Sequence, residues 1–341
     1  MTLNIVLAGC GSISRAWLDP ITQHPEWNAR IVGLVDLDMN AVDAQILHYG
    51  LTDVVTGTDI DAVLTQTKPD IVFDCTIPDA HHSIAHAAFA HGCHLLGEKP
   101  LAPSLETARD MITAGRAAGV QYAIMQNRRY DPNIRRLKQV IESGVLGVVT
   151  TLNSDFYMGV HIGGYRLHMR YPLLVDMAIH TFDAARYILN ADPVAVYCKA
   201  WNPPGSWWDH EASALAIFDM SDGGVYTYRG SWSAEGMPTT WESDWRAIGT
   251  RGSAVWDGAT DLRAQEIGVT GAWLSELLDV TIPDAPTLTA SGHAGCIEDF
   301  LGCVRENRTP LTNATDNIKS LAMVYAAIAS AESGSRVAVD W

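Results

Sequence analysis

Over the first part of the chain, short apolar runs alternate with longer stretches whose apolar positions recur every three or four residues. The short runs, at residues 3–8, 30–35, 71–75, 94–96 and 122–125, are rich in Val, Ile and Leu and predict strands. The periodic stretches at 13–22, 41–48, 60–66, 81–91 and 105–117 predict helices. Strands alternating with helices predict an α/β domain, a doubly wound parallel sheet with helices on both faces. A further helix is expected at 131–143, where Ile134, Leu137, Val140 and Ile141 fall on one face.

The pattern then changes to strand-like runs at 148–157, 194–201, 213–219, 225–232, 245–249 and 254–256, joined by turns such as Ser221-Asp222-Gly223-Gly224. One long helix, 173–189, interrupts them, and helices at 294–306 and 315–332 close the chain. This predicts a second, α+β domain with a large open, mostly antiparallel sheet. The expected division is 1–125 and 126–341, with the closing helices free to pack back on the first domain.

Composition narrows the reading. The 341 residues exceed one ordinary core, and with 48% hydrophobic and 18% charged residues the chain is far from the disordered range. No apolar run is long enough to span a bilayer, and with the first strand starting at residue 3 no secretory signal is expected. The net charge of −16 and the absence of a basic stripe exclude a nucleic-acid partner. Six cysteines without a Cys-x-x-Cys pair read as buried free thiols, and the expected compartment is the cytoplasm.

The first strand runs into Gly9-Cys10-Gly11-Ser12-Ile13-Ser14. The first glycine permits a tight turn, the second leaves room for a pyrophosphate, and the following helix turns its N-terminus to that anion. Ser14 stands where the full fingerprint has a third glycine, and its small side chain still allows close helix–strand packing. Asp36 ends the second strand roughly 20 residues on, where a carboxylate accepts hydrogen bonds from the adenosine ribose. Asp38 lies two residues beyond, and no Lys or Arg appears before Lys68, so a 2′-phosphate would be repelled. The expected cofactor is therefore NAD, held by Gly9, Gly11, Ser12, Ile13, Asp36 and Leu37. The plainer alternative, a glycine turn beside an ordinary surface acid, requires strand, turn, helix and acid to fall in this order by chance.

Lys99, in Glu98-Lys99-Pro100, ends the fifth predicted strand, and in such sheets ligands bind beyond the carboxyl ends of the strands. Taken alone, it would pass for a solvated charge. Asp176 and His180 are four residues apart on one helix and share a face, so both can reach one substrate hydroxyl; Asp183 is placed to orient the ring.

With Thr76-Ile77-Pro78-Asp79-Ala80-His81, Asn127-Arg128-Arg129-Tyr130 and Asp176-x-x-x-His180, these pieces resemble the glucose–fructose oxidoreductase, inositol dehydrogenase and rhizopine-catabolism (Gfo/Idh/MocA) oxidoreductase family over nearly the whole chain. The resemblance implies an N-terminal Rossmann domain, a sheet-based substrate domain, a cis bond between Lys99 and Pro100, and homodimers or homotetramers paired through that sheet. It adds Thr76, His81, Glu98, Lys99 and Asn127 to the cofactor residues, and implies Lys99, His180 and Asp176 as the catalytic set. The expected activity is NAD-dependent oxidation of a sugar or polyol. The stretch Met169-Arg170-Tyr171-Pro172, running into residues 176–186, is similar to aldose dehydrogenases of pentose and branched-pentose catabolism, which implies D-apiose, oxidised to its lactone, as a specific substrate. An NAD-using glycosidase and a non-catalytic sugar sensor remain alternatives. Where many relatives have a glycine inside Asp-x-x-x-His, this chain has Met177-Ala178, which bears on the substrate class more than on the mechanism.

Further substrate contacts are expected from Tyr130, Asp155, Tyr157, Arg166 and Arg170, the two arginines being equally able to pair with acids. Trp207, Trp208, Trp241 and Trp245 could stack on sugars, but a subunit interface is the favoured place for most of them. His82 and His86 have helical metal spacing, but no acid or cysteine partner is evident in the sequence, and no metal is expected.

Overall fold

The computed structural model describes residues 2–271 and 273–341, with the side chain of residue 165 outside the description. The chain divides into two compact units, residues 1–130 with 289–318, and residues 131–288 with 319–341.

In the first unit six strands are described: β1 (Leu3–Ala8), β2 (Ala29–Val35), β3 (Val55–Gly57), β4 (Ile71–Asp74), β5 (His94–Gly97) and β6 (Tyr122–Ile124). They form one sheet in the order β3-β2-β1-β4-β5-β6, every pairing parallel. The order reverses between β1 and β4, and this switch point is where such sheets open a crevice for ligands. β1 and β4 are almost wholly buried, as strands covered on both faces must be, which is why they read as unbroken apolar runs. Side-chain caps fix the helix starts: Asp38, Asp59 and Ser104 each accept backbone N–H bonds from the first turn of the helix they precede, worth about 1 kcal/mol apiece. The helix Gly292–Glu306 joins this core through Cys296, Ile297, Phe300 and Leu301.

The second unit holds β7 (Val149–Tyr157), β8 (Pro193–Trp201), β9 (Ser213–Met220), β10 (Val225–Ser231), β11 (Asp244–Gly249), β12 (Gly252–Trp256), β13 (Leu262–Val269), β14 (Glu276–Asp279) and β15 (Val337–Ala338). Their order is β14-β13-β12-β11-β7-β10-β9-β8-β15, antiparallel except for β7 beside β10. One face is covered by the segment 173–189, whose Phe182 ring lies 5.0 Å from Phe218 and 5.3 Å from Tyr228. The opposite face stays open and carries Tyr197, Leu215, Ile217 and Arg229.

The expected interface place is corrected for two of the four tryptophans. Trp208 and Trp245 are not interface residues: both are almost wholly buried, Trp208 stacked on Trp232 at 5.0 Å with its indole N–H donated to the Trp232 carbonyl. Alternation along β11 turned Trp245 inward, and clustering of tryptophans in sequence carries no information about which face they take. Trp241 is 46% exposed, and Trp207 is half-buried against His161. Among the described residues no helix is long and apolar enough to cross a membrane. All six cysteines are buried and free.

Candidate active site

The glycine turn is built as its chemistry requires. Gly9 has φ +90°, and a Cβ there would lie 2.6 Å from the Cys75 carbonyl carbon and 2.7 Å from the Thr76 nitrogen. Only glycine lets the turn after β1 rest on the end of β4. A Cβ on Gly11 would meet no protein atom, so the backbone there faces open space. Ser14 is buried and its hydroxyl donates to the Gly11 carbonyl at 2.7 Å, so the serine both packs closely and ties the turn. Asp36 is held beside it: one carboxylate oxygen accepts the Cys10 N–H at 2.6 Å and the other the Asp38 N–H at 2.9 Å. Burial, with the Asp36 charge adding to it, pushes the Cys10 thiol up to about 12, so it stays protonated. Ile13 and Leu37 flank the turn as exposed apolar side chains.

At the end of β4, Asp74 and His81 form a buried pair, Oδ2 to Nδ1 at 2.8 Å, and the Thr76 hydroxyl donates to Asp74 Oδ1 at 2.6 Å. Burial pushes the Asp74 carboxyl up, but the His81 charge and the bonds from His81 and Thr76 outweigh it and hold the carboxyl below its ordinary range. Burial likewise opposes charge on His81, and Asp74 overcomes it. A buried pair of this kind is costly to break from one side, because the survivor is left charged without its partner.

At the end of β5, Glu98 accepts the Trp17 indole N–H at 2.9 Å and the Lys99 N–H at 3.1 Å. The Lys99–Pro100 bond is cis, and Lys99 is half-buried. Asn127 comes after β6, and its amide nitrogen lies 3.5 Å from His293 Nδ1. His293 is a residue the sequence reading missed. Burial lowers its pKa, Glu98 opposes that and Lys99 adds to it, so it belongs to this cluster. It stands far along the chain, and only its place on the first turn of a helix could have drawn notice.

Four buried polar atoms here have no protein partner: His81 Nε2, Asn127 Oδ1 and both amide ends of Gln126. Buried polar groups are ordinarily hydrogen-bonded, and orphans that follow β4 and β6, at the same carboxyl edge of the sheet as the glycine turn, fit a ligand rich in hydroxyl, amide and phosphate groups. A dinucleotide is such a ligand.

In the second unit, the segment predicted as one helix is a π-helix over Leu173–Ala178 followed by an α-helix over Ile179–Leu189. Wider turns of this kind are frequent at functional sites. Asp176 lies in the wide turn, buried, with Oδ2 accepting the Arg166 Nε–H at 2.8 Å. His180 is half-buried one turn later. Asp183 is fully buried, accepting the Ser320 hydroxyl at 2.7 Å beside Arg186 at 3.9 Å.

Several expected substrate residues are placed elsewhere. Asp155 lies on the open face of the sheet, its oxygens 2.6 and 2.5 Å from Arg229, and Tyr157 shares its register. The segment 173–189 covers the other face, so the alternation of side chains in β7 sets both apart from Asp176 and His180. Tyr130 is buried in the first core, where its hydroxyl donates to Asp299 at 2.6 Å. Arg170 is exposed, 3.1 Å from the Tyr171 hydroxyl and 3.4 Å from Glu332. Asp110 supplies the acid that the sequence did not show beside His82 and His86.

A parallel 3-2-1-4-5-6 sheet with a glycine turn and a pinned acid at its first two strands defines a dinucleotide-binding protein. The model of an oxidoreductase family with an NAD-binding Rossmann fold matches residues 3–126, and the C-terminal domain model of the same family matches 134–255. The chain belongs to the GFO/IDH/MocA oxidoreductase family, and its first unit is an NAD-binding Rossmann domain. It is 26% identical to the D-apiose dehydrogenase of Paraburkholderia graminis, over 97% of this chain and 88% of that one. It is 22% identical to the 1,5-anhydro-D-fructose reductase of Ensifer adhaerens, over 98% of each. Its fold is shared with an oxidoreductase from Agrobacterium radiobacter crystallised with NAD+, L-tartaric acid and magnesium: TM-score 0.84, 22% identity, 99% of each chain covered.

Proposed function

We propose that the chain is an NAD+-dependent dehydrogenase that oxidises a hydroxyl of a sugar or polyol. The observation that carries this reading is the Asp176–Arg166 pair with His180 one helical turn away, an acid fixed in position beside a titratable ring. NAD+, when bound, supplies the acceptor for the substrate hydride. The chain's own residues do the rest. Gly9 and Gly11 keep the turn open to the pyrophosphate, and Asp36 takes the ribose hydroxyls while repelling a 2′-phosphate. Asn127, His81 and Gln126 offer polar atoms that the protein leaves unmatched. Lys99 and His180 share the proton leaving the substrate hydroxyl, and Asp176 binds a neighbouring hydroxyl and orients it.

The names of the sugar-acting relatives support a sugar, and the likeness to D-apiose dehydrogenase supports an aldose oxidised at its anomeric carbon to a lactone, D-apiose being the specific candidate. Tyr197, Leu215 and Ile217 on the open sheet face support pairing of two copies there. Six buried free thiols support a reducing, cytoplasmic setting. The test is a panel of pentoses including D-apiose, hexoses and inositols with NAD+, read by NADH absorbance. NADH from an aldose supports the reading, and no NADH from any member overturns it.

A further inference from the structure

One group of metal-ligating side chains converges outside the residues used above: among the described residues, His82, His86 and Asp110 have ligand atoms all within 4.8 Å of one another. His82 and His86 lie four residues apart on the helix His81–Ala90 and so share a face. His81, the first residue of that helix, turns inward to Asp74, whereas His82 and His86 are exposed. Asp110 comes from the neighbouring helix Leu105–Ala118. Both rings present Nε2 to the same oxygen, Asp110 Oδ2, at 2.9 and 2.7 Å, with ring centroids 4.4 Å apart.

Two imidazole nitrogens aimed at one carboxylate oxygen make an arrangement that a cation satisfies better than protons do. Without a metal, each Nε2 must carry a proton to donate to Oδ2. A divalent ion takes the place of both protons and accepts all three lone pairs. Ligand atoms around a tetrahedral ion with bonds of about 2.0–2.1 Å stand about 3.3 Å apart, so the two Nε2–Oδ2 contacts need open by only about half an ångström. The three side chains are 47%, 41% and 55% exposed, so they can turn without disturbing the core.

We propose that His82, His86 and Asp110 form a site for a divalent first-row transition ion of the zinc, nickel and copper class, with water completing the shell. Two imidazoles and a single carboxylate select such ions over magnesium and calcium, which take oxygen-rich shells. The bound ion clasps the helix His81–Ala90 to the helix Leu105–Ala118. Because it binds the folded chain, it raises thermal stability with concentration.

The experiment is calorimetric titration of chelator-stripped full chain with zinc chloride, alongside thermal melting with zinc or magnesium. One equivalent of zinc binds, the melting temperature rises with zinc and not with magnesium, and His86→Ala and Asp110→Asn each weaken binding about tenfold or more. His168→Ala, which removes another exposed histidine–aspartate pair, leaves zinc binding unchanged. His82→Gln is the second variant for the helix pair, and melting of each stripped variant at the wild-type temperature shows that its fold is intact. Absence of stoichiometric zinc binding overturns the proposal, as does His86→Ala or His82→Gln binding zinc as tightly as wild type.

Discussion

At the scale of residues, what the sequence showed depends on how far apart along the chain the partners stand. Gly9, Gly11, Ser14 and Asp36 were legible because strand, turn and acid succeed one another at fixed spacing, and the structure adds how Asp36 is held by the Cys10 and Asp38 amides. The Asp176–Arg166 bond was left open against other acids, because nothing in the sequence says which acid an arginine finds. His293 and Asp110 were missed since each meets its partners only through the fold. Asp36 carries a prediction at this scale. Like charges about 4 Å apart repel by about 1 kcal/mol in water and about 4 kcal/mol at an effective dielectric of 20. Asp36→Ala is therefore expected to raise the ratio of kcat/KM with NADP+ to that with NAD+ by about tenfold or more. An unchanged ratio in steady-state assays would show that Asp36 does not select the cofactor.

At the scale of elements, strongly periodic segments were read almost to the residue, as the helices Ile60–Thr67 and Leu105–Ala118 show. β3 escaped because it has three residues, none fully buried, and so no run to recognise. β13 and β14 escaped because most of their side chains are exposed and carry little of the buried alternation that marks a strand. Residues 173–189 read as a single helix because apolar spacing does not distinguish a wide turn from an ordinary one. That wide turn holds Asp176, and Arg166 reaches it from the preceding 3₁₀ turn Gly164–His168. A hydrogen bond to a charged group contributes about 1.5–3 kcal/mol. Arg166→Ala is expected to raise KM for the sugar about tenfold, with the dissociation constant for NAD+ unchanged by fluorescence titration. If NAD+ binding weakens equally, the arginine serves the fold rather than substrate orientation.

At the scale of the molecule, alternation of strand and helix was enough to give the parallel sheet, and the change to linked strands gave the second, mostly antiparallel one. Which core the helix Gly292–Glu306 joins was not legible, since its apolar face would suit either and the partners that decide it, Tyr130 and Trp17 among them, lie far back in the chain. The proposed pairing of two copies uses the open sheet face, which carries Tyr197, Leu215 and Ile217. An aspartate at Ile217 would put an unpaired charge into that contact, so Ile217→Asp is expected to sediment as a monomer where the wild type is oligomeric. Sedimentation velocity giving the same species for both would place the contact elsewhere.

The proposed chemistry turns on Lys99 acting on the substrate's proton. A general acid–base group contributes typically 10²–10⁴-fold to rate. The most direct measurement is kcat of Lys99→Ala on the best sugar of the panel, together with its affinity for NAD+. A fall in kcat of about 10²-fold or more with NAD+ affinity retained is the predicted result. Near wild-type turnover would contradict it.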